Sequence, residues 1–223
     1  MKKKIIALSL SFMLVACATF GITLAWLTSE TGKITNTFTV GDVDILLYEE
    51  TNALSTTGGW VTAEEGFTAN GYKIIPGTSE HKAPRVKVWA GSEECYVYIA
   101  VLNEFNGIKV GPTNAKVDAV TYSYDTTKWT EITDTTIPAN VKLYAYKTTC
   151  TENTTTSNLF SEIVYSDKIT KSDATSLTGK TIQIKAFAIQ SSNLAEGSST
   201  GAAVANTYAV NWVKSTDGFG SAS

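Results

Sequence analysis

The run Cys95-Tyr-Val-Tyr-Ile-Ala-Val-Leu102 is apolar or aromatic at odd and even positions alike. β-Branched and aromatic side chains suit a pleated strand, and apolar residues on both faces need cover from both sides. The run therefore predicts a central strand with packing above and below it. Its neighbours carry the alternation of half-buried strands. Arg85-Val86-Lys87-Val88-Trp89-Ala90 alternates with period two, Gly91-Ser92 turns the chain, and Thr181 to Ile189 is a second long strand. Shorter candidates lie at Ala119 to Tyr124, Trp129 to Ile132, Val141 to Tyr146 and Leu159 to Tyr165. Many short strands with turns between them predict an all-β sandwich or barrel.

Near the start of this pattern, Ile34-Thr-Asn-Thr-Phe38-Thr-Val40 puts Ile34, Phe38 and Val40 on one face, and Val43 to Leu47 resumes after Gly41. Three stretches depart from it. A break at Ser55 to Gly59 leads into a loop-rich stretch ending at Pro76-Gly77. Residues Thr148 to Asn158, nearly all Thr, Ser, Asn and Glu, predict an exposed loop. Ala202 to Val213 spaces Val204, Tyr208 and Trp212 by four, which predicts one short amphipathic helix. The tail Ser215 to Ser223 is expected to be mobile.

The N-terminus addresses the compartment. Lys2, Lys3 and Lys4 precede an apolar stretch from Ile5, and small residues close it at Thr23-Leu24-Ala25 before Trp26. A basic start, a short apolar region and a small-x-small exit predict a signal peptide over residues 1–25, cleaved after Ala25. Two alternatives stand beside it. The apolar stretch runs on to Leu27, as an uncleaved anchor would, and Leu14-Val15-Ala16-Cys17 matches the pattern before a lipid-modified cysteine. Cleavage after Ala25 leaves a β domain over residues 26–214. It removes three lysines and no acid, so the product is more acidic than the net charge of −3 of the whole chain. An acidic surface argues against nucleic acid as a partner.

Cys95 and Cys150 remain in that domain. An exported chain permits a disulfide between them, which would stabilise by roughly 4 kcal/mol in the chain-entropy model. Two free thiols are the other reading, and spacing alone does not decide between them.

Catalytic chemistry is poorly supplied. His81 is the single histidine; no multi-histidine zinc site can be built on it, and its polar surroundings predict a solvated loop. Gly197-Ser-Ser199-Thr-Gly201 fits the nucleophile-elbow pattern, but no histidine follows Ser199. The acid pairs Asp42/Asp44, Glu49/Glu50, Glu64/Glu65 and Glu93/Glu94 read as solvent-facing residues. Asp42 and Asp44 share a face if they lie in a strand, yet two carboxylates are too few for a calcium site. Trp60, Trp89, Trp129 and Trp212 are available for sugar binding, and in a domain of this size most are expected in the core. No enzyme, metal or cofactor is predicted.

Thr23-Leu-Ala-Trp-Leu-Thr-Ser, followed by Ile34-Thr-Asn-Thr-Phe-Thr-Val-Gly-Asp-Val-Asp-Ile45, resembles the start of the TasA/camelysin family. Ile75-Pro-Gly77, Ala90-Gly-Ser-Glu-Glu-Cys-Tyr-Val-Tyr98 and Ile184-Lys-Ala-Phe-Ala-Ile-Gln190 are similar to it as well. The resemblance implies an exported protein of Gram-positive bacteria, processed by a SipW-type signal peptidase. It implies a jelly-roll-like antiparallel β-sandwich, located extracellularly or on the cell surface, that self-associates into biofilm-matrix fibres, alone or with other matrix proteins. Assembly would add the freed N-terminal strand, with Trp26, Ile34, Phe38 and Val40, to a neighbour. That strand pairing within its own domain is the competing arrangement. A monomeric adhesin or glycan-binding module is the alternative function, and a camelysin-like metalloprotease a weaker one.

Overall fold

The computed structural model describes residues 42–54, 60–62, 71–197 and 199–220. Ala25, the assembly residues Trp26, Ile34, Phe38 and Val40, and also Cys17, Glu64 and Glu65, lie outside them.

The organising element is β6 (Cys95–Asn103), the long apolar run. It is flanked by β11 (Val141–Tyr146) and β13 (Ile182–Gln190), and β10 (Trp129–Ile132) completes an antiparallel four-stranded sheet in the order β10-β11-β6-β13. The register puts Tyr98 opposite Ala145 and Phe187, and Val101 opposite Lys142 and Ile184. Strand alternation then sends odd-numbered residues of β6 to one face and even-numbered ones to the other.

Both faces are covered, which is why the run has no polar side. Val97, Ile99 and Val101 join the larger core with Val86, Val88, Trp129, Leu159 and Tyr165. Those partners come partly from the facing strands. β1 (Ile45–Tyr48) pairs with β5 (Arg85–Val88), and β12 (Glu162–Tyr165) pairs with β4 (Ser79–His81) on one side and β9 (Val120–Thr121) on the other. Two-stranded pairings β2–β3 (Glu50–Leu54, Trp60–Thr62), β7–β8 (Lys109–Val110, Val117–Asp118) and β14–β15 (Ala195–Glu196, Ser199–Thr200) complete the strands among the described residues. The chain is thus all-β, built of several antiparallel sheets with a short C-terminal helix.

On the other face of β6, Tyr98 and Ala100 pack against the helix Ala202–Lys214. The helix falls where its periodicity places it: of the three spaced residues Val204 is buried and Trp212 half-buried, and only Tyr208 turns outward. Ala205, Ala209 and Val213 are buried, while Tyr208 is 48% exposed. Small side chains let the helix backbone lie close to the sheet, and Tyr208 would hold it away. Trp212 is half-buried and stacks on Phe187 with ring centroids 5.2 Å apart, and Tyr98 Oη donates to Asn206 Oδ1 at 2.8 Å. Beyond Lys214 the chain is described to Gly220. Lys185 Nζ donates to the Asp217 carbonyl at 2.8 Å and lies 5.2 Å from the Phe219 ring.

The Thr-rich stretch at residues 148–158 is no simple exposed loop. Cys150 and Thr156 are buried. Its backbone is laced to β5: Val88 N donates to Thr154 O at 2.9 Å, Thr156 N to Val86 O at 2.8 Å, and Val86 N to Thr156 Oγ1 at 2.9 Å. Threonine serves here as a strand-compatible residue whose hydroxyl closes a backbone donor, a role its composition alone does not distinguish from a loop.

Candidate functional site: a groove beside an open strand edge

A groove of about 1020 Å³ opens among the described residues. Leu47 of β1, Ile74, Phe105, Ile163 of β12, and Ile182 and Ile184 of β13 supply its apolar lining. Consecutive β13 residues, Ile182, Gln183 and Ile184, all border it, so it follows the outer edge of that strand. Among the described strands, β13 is bonded only to β6. An edge with pockets for alternate side chains is the geometry that receives an added strand.

Local sequence sets the walls. Ile75-Pro76-Gly77-Thr78 forms a turn in which Thr78 N donates to Ile75 O at 3.2 Å and Gly77 takes φ +76. Proline second and a glycine with positive φ third define a type II turn. Gly77 N also donates to Tyr165 O at 3.2 Å, fixing the turn to β12. A 3-10 turn, Lys171–Asp173, running into a short helix, Ala174–Leu177, also lines it: Thr170 N donates to Asp173 Oδ2 at 2.8 Å and Leu177 is buried.

An ion pair lies within the groove. Lys82 is buried and bonds the carboxylate of Glu49, with side chains 5% and 16% exposed, and its ammonium lies 5.6 Å from the Tyr72 ring centre. Lys73, Lys171 and Lys180 line the groove while remaining exposed.

At the other end of β6 and β13 the structure is closed by a dense set of bonds. The turn at residues 89–95 holds two other segments: Trp89 N donates to Asp44 O at 3.0 Å, Glu93 N to Asp42 O at 2.9 Å, and Gly91 N to Glu152 Oε2 at 2.7 Å. Glu94 accepts from Thr149 Oγ1 at 2.6 Å and from Ser191 Oγ at 2.9 Å. These hydroxyl donors hold its carboxyl below the usual range. Cys95 N donates to Cys150 O at 2.9 Å and Cys150 N to Cys95 O at 2.8 Å, which makes the two buried cysteines direct cross-strand neighbours, present as free thiols.

The remaining candidates are scattered. Asp42 and Asp44 are exposed and precede β1, where their carbonyls serve the turn at residues 89–93. No group of three or more His, Cys, Asp or Glu residues that could hold a metal occurs among the described residues. His81 lies on β4 and is half-buried, not in a solvated loop, because pairing with Glu162 draws that segment into a sheet; its carbonyl accepts from Tyr72 Oη at 3.2 Å. Ser199 sits in the β14–β15 hairpin rather than between a buried strand and a helix of elbow type. Trp129 is buried, donating to Ser157 O and Asn158 O at 3.2 Å, and Trp89 is half-buried beneath Lys87.

Sequence reasoning did not find the groove. Its lining comes from five separate stretches, and Ile74, Phe105 and Ile163 become neighbours only through folding. Comparison with known protein families, with curated proteins and with solved structures finds no match to this chain.

Proposed function

We propose that the protein is an exported structural subunit that self-associates into extracellular fibres. The segment at residues 26–40 of one copy adds as a strand to the β13 edge of the next, and its alternating Ile34, Phe38 and Val40 fill the apolar groove. A jelly-roll-like arrangement of the sheets belongs to the same reading, as does release of the segment by cleavage after Ala25. The observation that carries it is the groove itself, about 1020 Å³ with a mixed lining in which apolar side chains predominate. It runs along β13, which among the described strands is hydrogen-bonded only to β6 while β1 lies close by. Main-chain bonds to such an edge give affinity, and side-chain pockets give register. The N-terminal resemblance to fibre-forming matrix proteins points the same way.

The adhesin reading has less behind it, since neither Trp89, Trp129 nor Trp212 is an exposed platform for a sugar. Negative-stain electron microscopy of residues 26–223 at rising concentration is the test. Fibres from that chain and none from residues 41–223 are expected. Persistent monomers from the former, or fibres from the latter, overturn strand addition.

A further inference from the structure

We propose that Cys95 and Cys150 are an intramolecular disulfide site, oxidised while the chain is still open and enclosed when it folds. Sequence left the pairing undecided; placement now favours it. The two residues exchange both backbone hydrogen bonds, at 2.9 and 2.8 Å. In such an antiparallel pair the Cα atoms sit about 5.5 Å apart, inside the range of roughly 4.4–6.8 Å that disulfides span. A hydrogen-bonded pair sets its β carbons wider than a disulfide does, so closing the bond draws the two strands' side chains together by about 1 Å. Both side chains belong to one core cluster.

The step balances as thiol–disulfide exchange. One cysteine thiolate attacks a sulfur of a small disulfide oxidant, giving a mixed disulfide and one released thiol. The second cysteine thiolate displaces the other oxidant sulfur and closes the Cys95–Cys150 bond. Two protons and two electrons leave the protein, and the oxidant ends as two thiols. The thiolate is the reactive form, and the folded environment suppresses it. Burial, then the neighbouring Cys150, pushes the Cys95 thiol up to about 12, and burial also raises Cys150. Exchange therefore belongs to the unfolded chain, and the finished bond is shielded from reductants for the same reason.

Its mechanical effect follows from what Cys150 is joined to. One end of the crossover at residues 148–158 meets β6 at Cys95, and the other is laced to β5 through Thr154 and Thr156. A covalent link at Cys95 fastens the two sheets together at the end opposite the groove, since Cys95 pairs with Gln190 and Asn103 with Ile182.

The test uses the full chain carrying Cys17→Ser, so that the pair are its only thiols. The protein is reduced, unfolded and refolded with reduced and oxidised glutathione, then examined by intact mass, thiol alkylation after denaturation, and thermal melting. Expected are a mass about 2 Da below the dithiol form with no alkylatable thiol, and a melting temperature higher by roughly 10 °C. The same protein oxidised without unfolding should react far more slowly. Two alkylatable thiols, a retained glutathione adduct, or disulfide-linked dimers overturn the proposal. A Cys95→Ala/Cys150→Ala variant should melt at one temperature with or without oxidant; a redox-dependent shift in it also overturns the assignment.

Discussion

Lys82 and Glu49 form an ion pair in the groove, with the lysine side chain 5% exposed and the glutamate 16%. Removing either partner leaves a charge in a poorly solvated place, whereas removing both leaves none. Glu49→Gln should destabilise by about 3 kcal/mol, and a Glu49→Leu/Lys82→Met pair should recover most of that. Urea unfolding of the single and double variants measures the difference; a double variant as unstable as the single would deny the pair its electrostatic character.

Ile184 borders the groove and is only half-buried. Ile184→Glu should leave the far-ultraviolet spectrum unchanged and lower the melting temperature by only a few degrees. Fibre growth should be lost, because a charge then meets the incoming apolar strand without a partner. Growth at the wild-type rate, followed by microscopy or light scattering, would place assembly elsewhere.

Thr156 is buried, and its hydroxyl accepts from Val86 N at 2.9 Å. Thr156→Val keeps the shape and removes the acceptor, leaving a buried N–H unsatisfied at a cost of about 1–2 kcal/mol. Thr155, one position earlier, is exposed, and its replacement by Val should change stability by less than about 0.5 kcal/mol. Comparing the two denaturation midpoints separates a working hydroxyl from a merely frequent residue type.

The hydroxyls of Thr149 and Ser191 lower the Glu94 carboxyl in the folded state. A depressed folded value contributes stability above the unfolded one, and that contribution disappears as pH falls through the folded value. Melting temperatures of wild type and Glu94→Gln should therefore differ at pH 7, and the difference should begin to shrink only as pH falls below the ordinary glutamate value of about 4.3. Glu104, held low by Thr181 in the same manner, should behave alike.

Strands were legible where side-chain pattern and burial agree. Cys95 to Leu102 announces a doubly covered strand because both of its faces are apolar, and Arg85 to Val88 shows its alternation. Ala119 to Tyr124 shrinks to Val120–Thr121, and Leu159 to Tyr165 to Glu162–Tyr165. Leu159 and Phe160 are apolar for another reason: they are core residues in irregular backbone, with Phe160 stacked on Tyr122 at 4.5 Å. The β2–β3 pairing and the short β4 strand escaped notice, since Glu50–Leu54 and Ser79–His81 have neither alternation nor β-branched runs. The groove was illegible for a more general reason. It is an absence of filling between elements distant in sequence, and no local pattern encodes an absence.

The central position of β6 also sets a timetable. Its nine residues are flanked by β11 and by β13, and Cys95 finds its β13 partner only at Gln190. Until that late segment exists, β6 has one unpaired backbone edge and one uncovered face, with the helix from Ala202 later still. Pairings so far apart in sequence are slow to close. A growing chain of this design cannot complete its core before the helix Ala202–Lys214 is made, so it stays extensible until then.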